Sequence, residues 1–290
     1  MNRDRKKIKF PLIGAHVSGA GDLALAPLRA HQAGCECFQF FSRPPQGGKA
    51  KPITAAQIKK FKEECRKYQL NSYIHAPYYI NLASANNRVY YGSISVLREE
   101  LARGAQLGVN GLMTHLGSAK ELGEKKGLEK VIAALEKILN GDQGQTKFLI
   151  EMSAGAGNII GDTFEEIQKI IHSPKLKKYD IGVCFDTAHA FASGYDLKDK
   201  KAVEETFKKF DKIIGLENLY LIHANDTKVE LGSHKDRHEH IGEGKISLEG
   251  FKAIILFAKK QKINMILETP HDGKDIEDIK LLKKLRAGKN

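Results

Sequence analysis

The chain is short of cysteine, of long apolar runs and of the common nucleotide-binding signatures, and each shortage removes a class. Its four cysteines (Cys35, Cys37, Cys65, Cys184) show no CxxC spacing, and three of them sit inside apolar strand or helix patterns where a small buried thiol is ordinary. A disulfide scaffold is excluded, and a reducing cytoplasm suits the sequence. The longest apolar stretches, such as LYLI and AIILFA, fall far short of the roughly 18 to 20 residues that span a bilayer. MNRDRKKIKF is basic, but the strand-like PLIGAHV follows it rather than a signal-peptide apolar region, so no export signal is read. No GxGxxG follows the first strand pattern, no GxxxxGK[ST] occurs, and no Pro/Gly/Ser linker divides the chain. What remains is 290 residues with 41% hydrophobic and 28% charged content, enough for a full core. The excess of 47 Lys+Arg over 35 Asp+Glu attracts polyanions, yet charge alone does not separate a nucleic-acid partner from a lysine-rich solvated surface.

Short β-branched or aromatic runs alternate with segments of helical period. The strand candidates are residues 11–17, 35–41, 71–76, 111–116, 147–152, 180–186, 218–224 and 264–269. Helices are predicted from Ile58/Phe61/Cys65, Ile94/Leu97/Leu101, Leu128/Ile132/Leu135/Leu139, Val203/Phe207/Phe210 and Leu248/Phe251/Ile255. Thr54 with Gln57, and Thr163 with Glu166, read as capping boxes. If Asp22 caps the first helix, Pro27 falls in its second turn, so that helix begins later or bends. Eight βα units in one uninterrupted chain predict an α/β protein with a single (β/α)8 TIM barrel over residues 1–290, residues 1–9 forming a basic extension; an open doubly wound sheet is the rival.

Active sites of such barrels stand at the C-terminal ends of the strands. Strand three ends in His75, four in His115, five in Glu151, six in Asp186, seven in His223 and eight in Glu268, all of them metal-ligand types. Three converging carboxylates without cations would repel one another, so bound metal is the natural resolution, zinc first, with manganese or iron as substitutes. In DTAHAF, His189 lies three residues beyond Asp186 and is expected to face the cavity rim without sharing Asp186's ion. Asp236 and His238 are two apart in DRH and form a chelating pair, completing a set with His189, although SHKDRHEH alone also reads as a solvated loop. Nine ligands suit three ions, and three ions point to phosphoryl chemistry.

At this point the chain resembles the endonuclease IV family of apurinic/apyrimidinic endonucleases. The blocks are GAHVSGAGDL (14–23), HAPYYINLAS (75–84), THLGS (114–118), IEMSAGAGN (150–158), GVCFDTAHAFASGYDL (182–197), HANDTKVELGSHKDRHEHIGEG (223–244) and ILETP (266–270). The resemblance implies three zinc ions per chain and hydrolysis of duplex DNA on the 5′ side of an abasic site, leaving a 3′-hydroxyl and a 5′-deoxyribose phosphate, together with cleaning of 3′ ends. It implies that His75, His115 and Glu151 hold the first ion and that Glu151 bridges to a second, completed by Asp186, His223 and Glu268. His189, Asp236 and His238 hold the third, and Glu268, with Glu151, is catalytic, Glu268 orienting the attacking hydroxide. It further implies DNA-wedging loops after strands two and three. Tyr78 matches one wedge and Tyr79 stands where an apolar residue is frequent. Gln46 and Gly48 replace an arginine and a tryptophan of relatives, which makes Gln46 or Arg43 the candidate wedge there; a plain surface loop is the other reading. His16 is expected to touch a ligand or a phosphate, whereas His31, His172 and His271 read as ordinary residues.

A sugar isomerase or epimerase on the same barrel is the alternative, since it too gathers Glu, Asp and His around one or two divalent ions. The DRH loop argues against it. A metal-stabilised DNA-binding module without catalysis is a further one. The expected setting is a cytoplasmic, nucleoid-associated monomer acting on double-stranded DNA with no membrane and no obligate protein partner.

Overall fold

The computed structural model describes residues 10–141, 144–270 and 272–288; the basic segment 1–9 and His271 lie outside the described residues. Every predicted strand forms, trimmed by at most two residues at either end. They are β1 (Ile13–His16), β2 (Cys37–Phe40), β3 (Asn71–His75), β4 (Gly111–Thr114), β5 (Lys147–Glu151), β6 (Ile181–Asp186) and β7 (Leu219–His223). A small antiparallel ribbon, β8 (Asp226–Thr227) with β9 (His238–Glu239), precedes β10 (Asn264–Leu267). The eight barrel strands pair in parallel and close in the order β1-β10-β7-β6-β5-β4-β3-β2. Closure leaves no open edge, which removes the doubly wound alternative.

Around the barrel run α1 (Ala26–Gln32), α2 (Ala55–Tyr68), α3 (Asn87–Leu107), α4 (Glu124–Leu139), α5 (Phe164–Ile171), α6 (Thr187–Ala192), α7 (Lys200–Ile213), α8 (Ser247–Gln261) and α9 (Asp275–Arg286). Asp22 caps a short 3-10 turn rather than α1 itself, and Pro27 consequently falls in the first turn of α1, where its missing N–H costs nothing. The Thr54–Gln57 box is reciprocal. The Thr163 box is only half made: Thr163 accepts from the Glu166 N–H, but the Glu166 carboxylate turns to the Gly161 N–H at 2.7 Å. In α4 the buried face is Gly127, Val131, Ala134, Leu135, Ile138 and Leu139: Leu135 and Leu139 of the predicted stripe are buried, whereas in its first half Gly127 and Val131 are buried in place of Leu128 and Ile132, which are partly buried. Gly127 allows this, since a Cβ there would lie 2.3 Å from Ala119 Cβ. Among the described residues no helix is long and apolar enough to cross a membrane.

The barrel interior shows the order that positions the site. Cys37, Tyr73, Met113, Leu149, Cys184, Leu221 and Ile266 form one buried apolar cluster. Each precedes by two residues Gln39, His75, His115, Glu151, Asp186, His223 or Glu268. A strand repeats its facing every two residues, so the same inward face is apolar at one level and polar at the next. β1 joins in through Gly14 and His16; a Cβ at residue 14 would lie 1.5 Å from the Cys37 carbonyl oxygen, and only glycine fits.

Candidate metal centre

Glu151, fully buried, is the hub of the polar level. Its Oε2 lies 2.8 Å from His75 Nε2 and 3.6 Å from His115 Nε2, and its Oε1 lies 3.0 Å from His223 Nδ1. His223 Nδ1 is also 3.2 Å from Glu268 Oε2 and 3.7 Å from Asp186 Oδ2. Among the described residues three groups therefore present ligand atoms within 4.8 Å of one another: His75, His115 and Glu151; Glu151, Asp186, His223 and Glu268; and Asp186, His189 and His238.

The hydrogen bonds on the far side of each imidazole say what the near side offers. His75 Nδ1 donates to the Ala76 carbonyl at 2.6 Å, His189 Nδ1 to the Met152 carbonyl at 2.9 Å and His238 Nδ1 to the Glu268 carbonyl at 3.0 Å. A carbonyl only accepts, so these rings carry their proton on Nδ1 and, when neutral, turn a bare Nε2 lone pair inward. His223 is reversed: its Nε2 donates to Gln39 Oε1 at 2.8 Å and Nδ1 faces the carboxylates. Lone pairs of imidazole and carboxylate then face each other, an arrangement that needs a cation between them. His238 Nε2 makes the point separately. Among the described residues it is buried without a hydrogen bond, although Asp236 Oδ1 is 3.2 Å away. The donor set thus fits divalent metal of the kind that accepts nitrogen and oxygen ligands.

Electrostatics agree. Burial alone would raise the Glu151 carboxyl, but the imidazoles of His115, His223 and His75 outweigh it and hold its pKa well below the usual range. Burial would likewise lower His189, yet Asp186 first and Asp236 next hold it up at about 10. A pocket that draws a proton onto a buried imidazole so strongly draws a divalent cation for the same reason.

One expectation about the third set needs correction. The Asp186 carboxylate caps α6, accepting from the His189 N–H at 2.9 Å, and the helical turn folds His189 back over it. Asp186 Oδ2 comes within 3.7 Å of His189 Nδ1 and 3.9 Å of His238 Nε2. Asp186 therefore belongs to the second set and also faces the third, and His189 is buried rather than on the rim. Asp236 lies 3.3 Å from His189 Nε2 and is the more exposed member of the set.

His75, His115, His189, Asp236, His238 and Glu268 floor a cavity of about 1340 Å³ whose wall includes His16, Phe41, Lys49, Tyr78 and Arg237, with Glu151, Asp186 and His223 buried beside them. Tyr78 is 66% exposed and packs edge-on against Phe41; Tyr79, 38% exposed, and exposed Gln46 stand outside the cavity lining. The Tyr78 N–H donates to the Pro45 carbonyl at 3.2 Å, which ties the two rim loops together. Arg43 is not a wedge. It is 7% exposed, and its guanidinium donates to Glu100 at 2.6 Å and Glu99 at 2.7 Å on α3, so it holds the loop from below. His16 accepts from Gln39 Nε2 at 3.0 Å, which places it against the ligand layer.

Two residues of the site are absent from the expectations above. Asn225 donates to Asp186 Oδ2 at 2.7 Å and accepts the Glu268 N–H at 2.7 Å. Gln39 touches His16, His223 and Glu268 at once. A lone polar residue in an apolar strand, two positions beyond an inward-facing one, is the signal that would have found Gln39.

Residues 27–285 match the family described as the xylose isomerase-like TIM barrel. The probable endonuclease 4 of Nitrosopumilus maritimus is 40% identical over 281 residues, covering 94% of this chain and 98% of that protein. The chain belongs to the endonuclease IV family. Another family member, the probable endonuclease 4 of Methanocorpusculum labreanum, is 42% identical over 90% of this chain and 93% of its own length. The crystal structure of endonuclease IV from Thermus thermophilus superposes with a TM-score of 0.86 at 29% identity, covering 96% of this chain and all of that one. A D-tagatose 3-epimerase-like protein, at TM-score 0.72 and 20% identity over 96% of this chain and 97% of its own, shares the fold alone.

Proposed function

We propose that the protein is a DNA repair endonuclease that hydrolyses the phosphodiester on the 5′ side of an abasic site in duplex DNA. The products are a 3′-hydroxyl and a 5′-deoxyribose phosphate, and the same chemistry cleans blocked 3′ ends. The observation that carries this reading is the convergence of nine imidazole and carboxylate groups, six of them lining one cavity and Glu151, Asp186 and His223 buried beside them, in a member of the endonuclease IV family. His75, His115 and Glu151 would hold one zinc ion, Glu151 with Asp186, His223 and Glu268 a second, and His189, Asp236 and His238 a third, with manganese or iron as substitutes. When bound, such ions lower the pKa of water and neutralise charge that develops on a phosphate in the transition state.

The chain's own residues supply position. Glu268 stands one residue beyond β10 at the cavity wall, where its carboxylate accepts a hydrogen bond from the attacking water and orients it toward phosphorus. Glu151 turns one carboxylate oxygen toward His75 Nε2 and the other toward His223 Nδ1 from within the barrel. Tyr78 offers an exposed ring at the cavity mouth on which a base beside the gap can stack. The net charge of +12 favours a polyanionic substrate. The protein acts as a cytoplasmic monomer with residues 1–290 as one domain. A sugar epimerase needs one or two ions and leaves the Asp236–His238 pair without a task.

A duplex oligonucleotide carrying one central abasic analogue tests this. Nicking immediately 5′ of the analogue, with undamaged duplex left intact, is the expected result under metal-replete conditions. No nicking would discard the enzymatic reading, and turnover of a ketose in its place would establish the epimerase.

A further inference from the structure

We propose that Gln39 is a positioning residue that orients Glu268 and selects the ring nitrogen His223 turns to the metal site. The inference rests on the reading of the floor as a metal centre. Gln39 lies on β2, fully buried, on the face that completes the polar level. All of its carboxamide is used. Oε1 accepts the His223 Nε2 proton at 2.8 Å, while Nε2 donates one hydrogen to His16 Nδ1 at 3.0 Å and the other to Glu268 Oε1 through a short contact.

An amide oxygen cannot donate, so His223 keeps its proton on Nε2 and directs Nδ1 to Glu151, Asp186 and Glu268. His75, His189 and His238 are anchored through Nδ1 on backbone carbonyls, which the fold provides whatever the side chains; His223 alone among these four depends on another side chain for its tautomer. Glu268 has the same dependence. It stands one residue beyond β10, and among the described residues its tethers are the Asn225 side chain on its N–H, the His238 ring on its carbonyl and Gln39 on its carboxylate, so Gln39 is the tether that acts on the carboxylate itself. With Oε1 engaged by the amide, Oε2 is the oxygen left facing His223 Nδ1. Rotating the carboxamide by half a turn would set its donor against the His223 donor and its acceptor against a carboxylate, so one orientation satisfies all three neighbours and both groups are set together.

The test compares wild type, Gln39→Leu and Gln39→Glu for metal atoms per chain after dialysis against a weak chelator, for folding by circular dichroism, and for kcat and KM on the abasic duplex. Gln39→Leu removes all three bonds; it is expected to weaken metal retention by about 10- to 100-fold and to lower kcat by a similar factor with KM unchanged. Gln39→Glu keeps an acceptor for His223 but cannot donate to Glu268, so it is expected to retain its metal and still lose about tenfold or more in kcat. A folded Gln39→Leu with wild-type metal content and kcat overturns the proposal, as does a rise in KM at constant kcat, which would make Gln39 a DNA contact. If Gln39→Leu does not fold, wild-type kcat in Gln39→Glu overturns it. A wild-type chain that holds no metal overturns the reading beneath it, whereas unaffected variants beside a metal-loaded wild type overturn the proposal alone.

Discussion

The floor of the cavity and its rim are secured by opposite means. On the floor, six of the nine ligand side chains sit at or one residue beyond the ends of barrel strands, and the imidazoles of His75, His189 and His238 are tethered on their far side to backbone carbonyls that directly follow barrel strands, so the barrel sets their aim. The rim after β2 is a loop, and its shape comes from side chains on a helix. Arg103 on α3 donates to the Ser42 hydroxyl at 2.7 Å, to the Ser42 carbonyl and to the Lys51 carbonyl at 2.9 Å, clasping both ends of the loop with one guanidinium. Buried Glu100 accepts from Arg43 and Ser42, each at 2.6 Å. Between the clasped ends, Pro44 and Pro45 stiffen the chain and Gly47 and Gly48 take positive φ values of 129° and 109°, leaving Gln46 exposed at the tip. The ligand residues are thus tied to the fold, and the proposed DNA contact to a loop set on a rigid base.

The contrast breaks most severely if the ions are removed. Chelation is expected to abolish nicking, by about 10³-fold or more, and to lower the unfolding temperature, because a cluster of mutually repelling carboxylates loses its counter-charge. Restoring zinc should restore both, and calorimetry with and without chelator reads the second. Nicking at full rate without metal would remove the floor from the chemistry. Next in size is Glu268→Gln, which keeps shape and loses the carboxylate charge. Single-turnover nicking is expected to slow by about 10²- to 10⁴-fold with metal content retained. A near-normal rate would take Glu268 away from the attacking water.

How much of this was legible in the sequence follows the same division. His75, His115, Glu151, Asp186, His223 and Glu268 could be read because each ends or directly follows an apolar strand run, and the period of two decides which side chain points inward. Gln39 obeys the same period but escaped, because CECFQFF reads as a continuous buried run and a single amide carries no signature of its own. Arg43 was misassigned for a different reason. Its partners lie 56 and 57 residues further along the chain, and no local pattern says that α3 brings Glu99 and Glu100 beneath that loop. Asp186's place between two ligand sets was hidden likewise, since it depends on how one turn of α6 folds back.

The clasp beneath the rim can be tested apart from the floor. Glu100→Gln leaves Arg43 and Arg103 without their buried counter-charge and is expected to destabilise the protein by about 3–5 kcal/mol in urea unfolding. Below the unfolding midpoint, KM for the abasic duplex should rise by about tenfold while kcat and metal content hold, since binding energy and not the reacting groups is disturbed. Loss of metal in this variant would show that rim and floor are one cooperative unit.

The smallest expected effect sharpens the comparison at the loop tip. Gln46 is exposed, lies outside the cavity wall and is carried by a stiff loop joined to the Tyr78 loop through the Pro45 carbonyl. A side chain so placed touches DNA only when the duplex bends onto the mouth, and a neutral amide at a wet interface contributes little beyond a hydrogen bond. Gln46→Ala is therefore expected to weaken binding of the abasic duplex by about two- to tenfold, the scale of one net hydrogen bond, and to leave undamaged duplex unaffected. Tyr78→Ala supplies the matching measure, because loss of one stacked ring costs about 1–3 kcal/mol in single-strand binding. If Gln46→Ala binds as wild type does while Tyr78→Ala is impaired, the loop after β2 is a support and the lesion is read from the loop after β3.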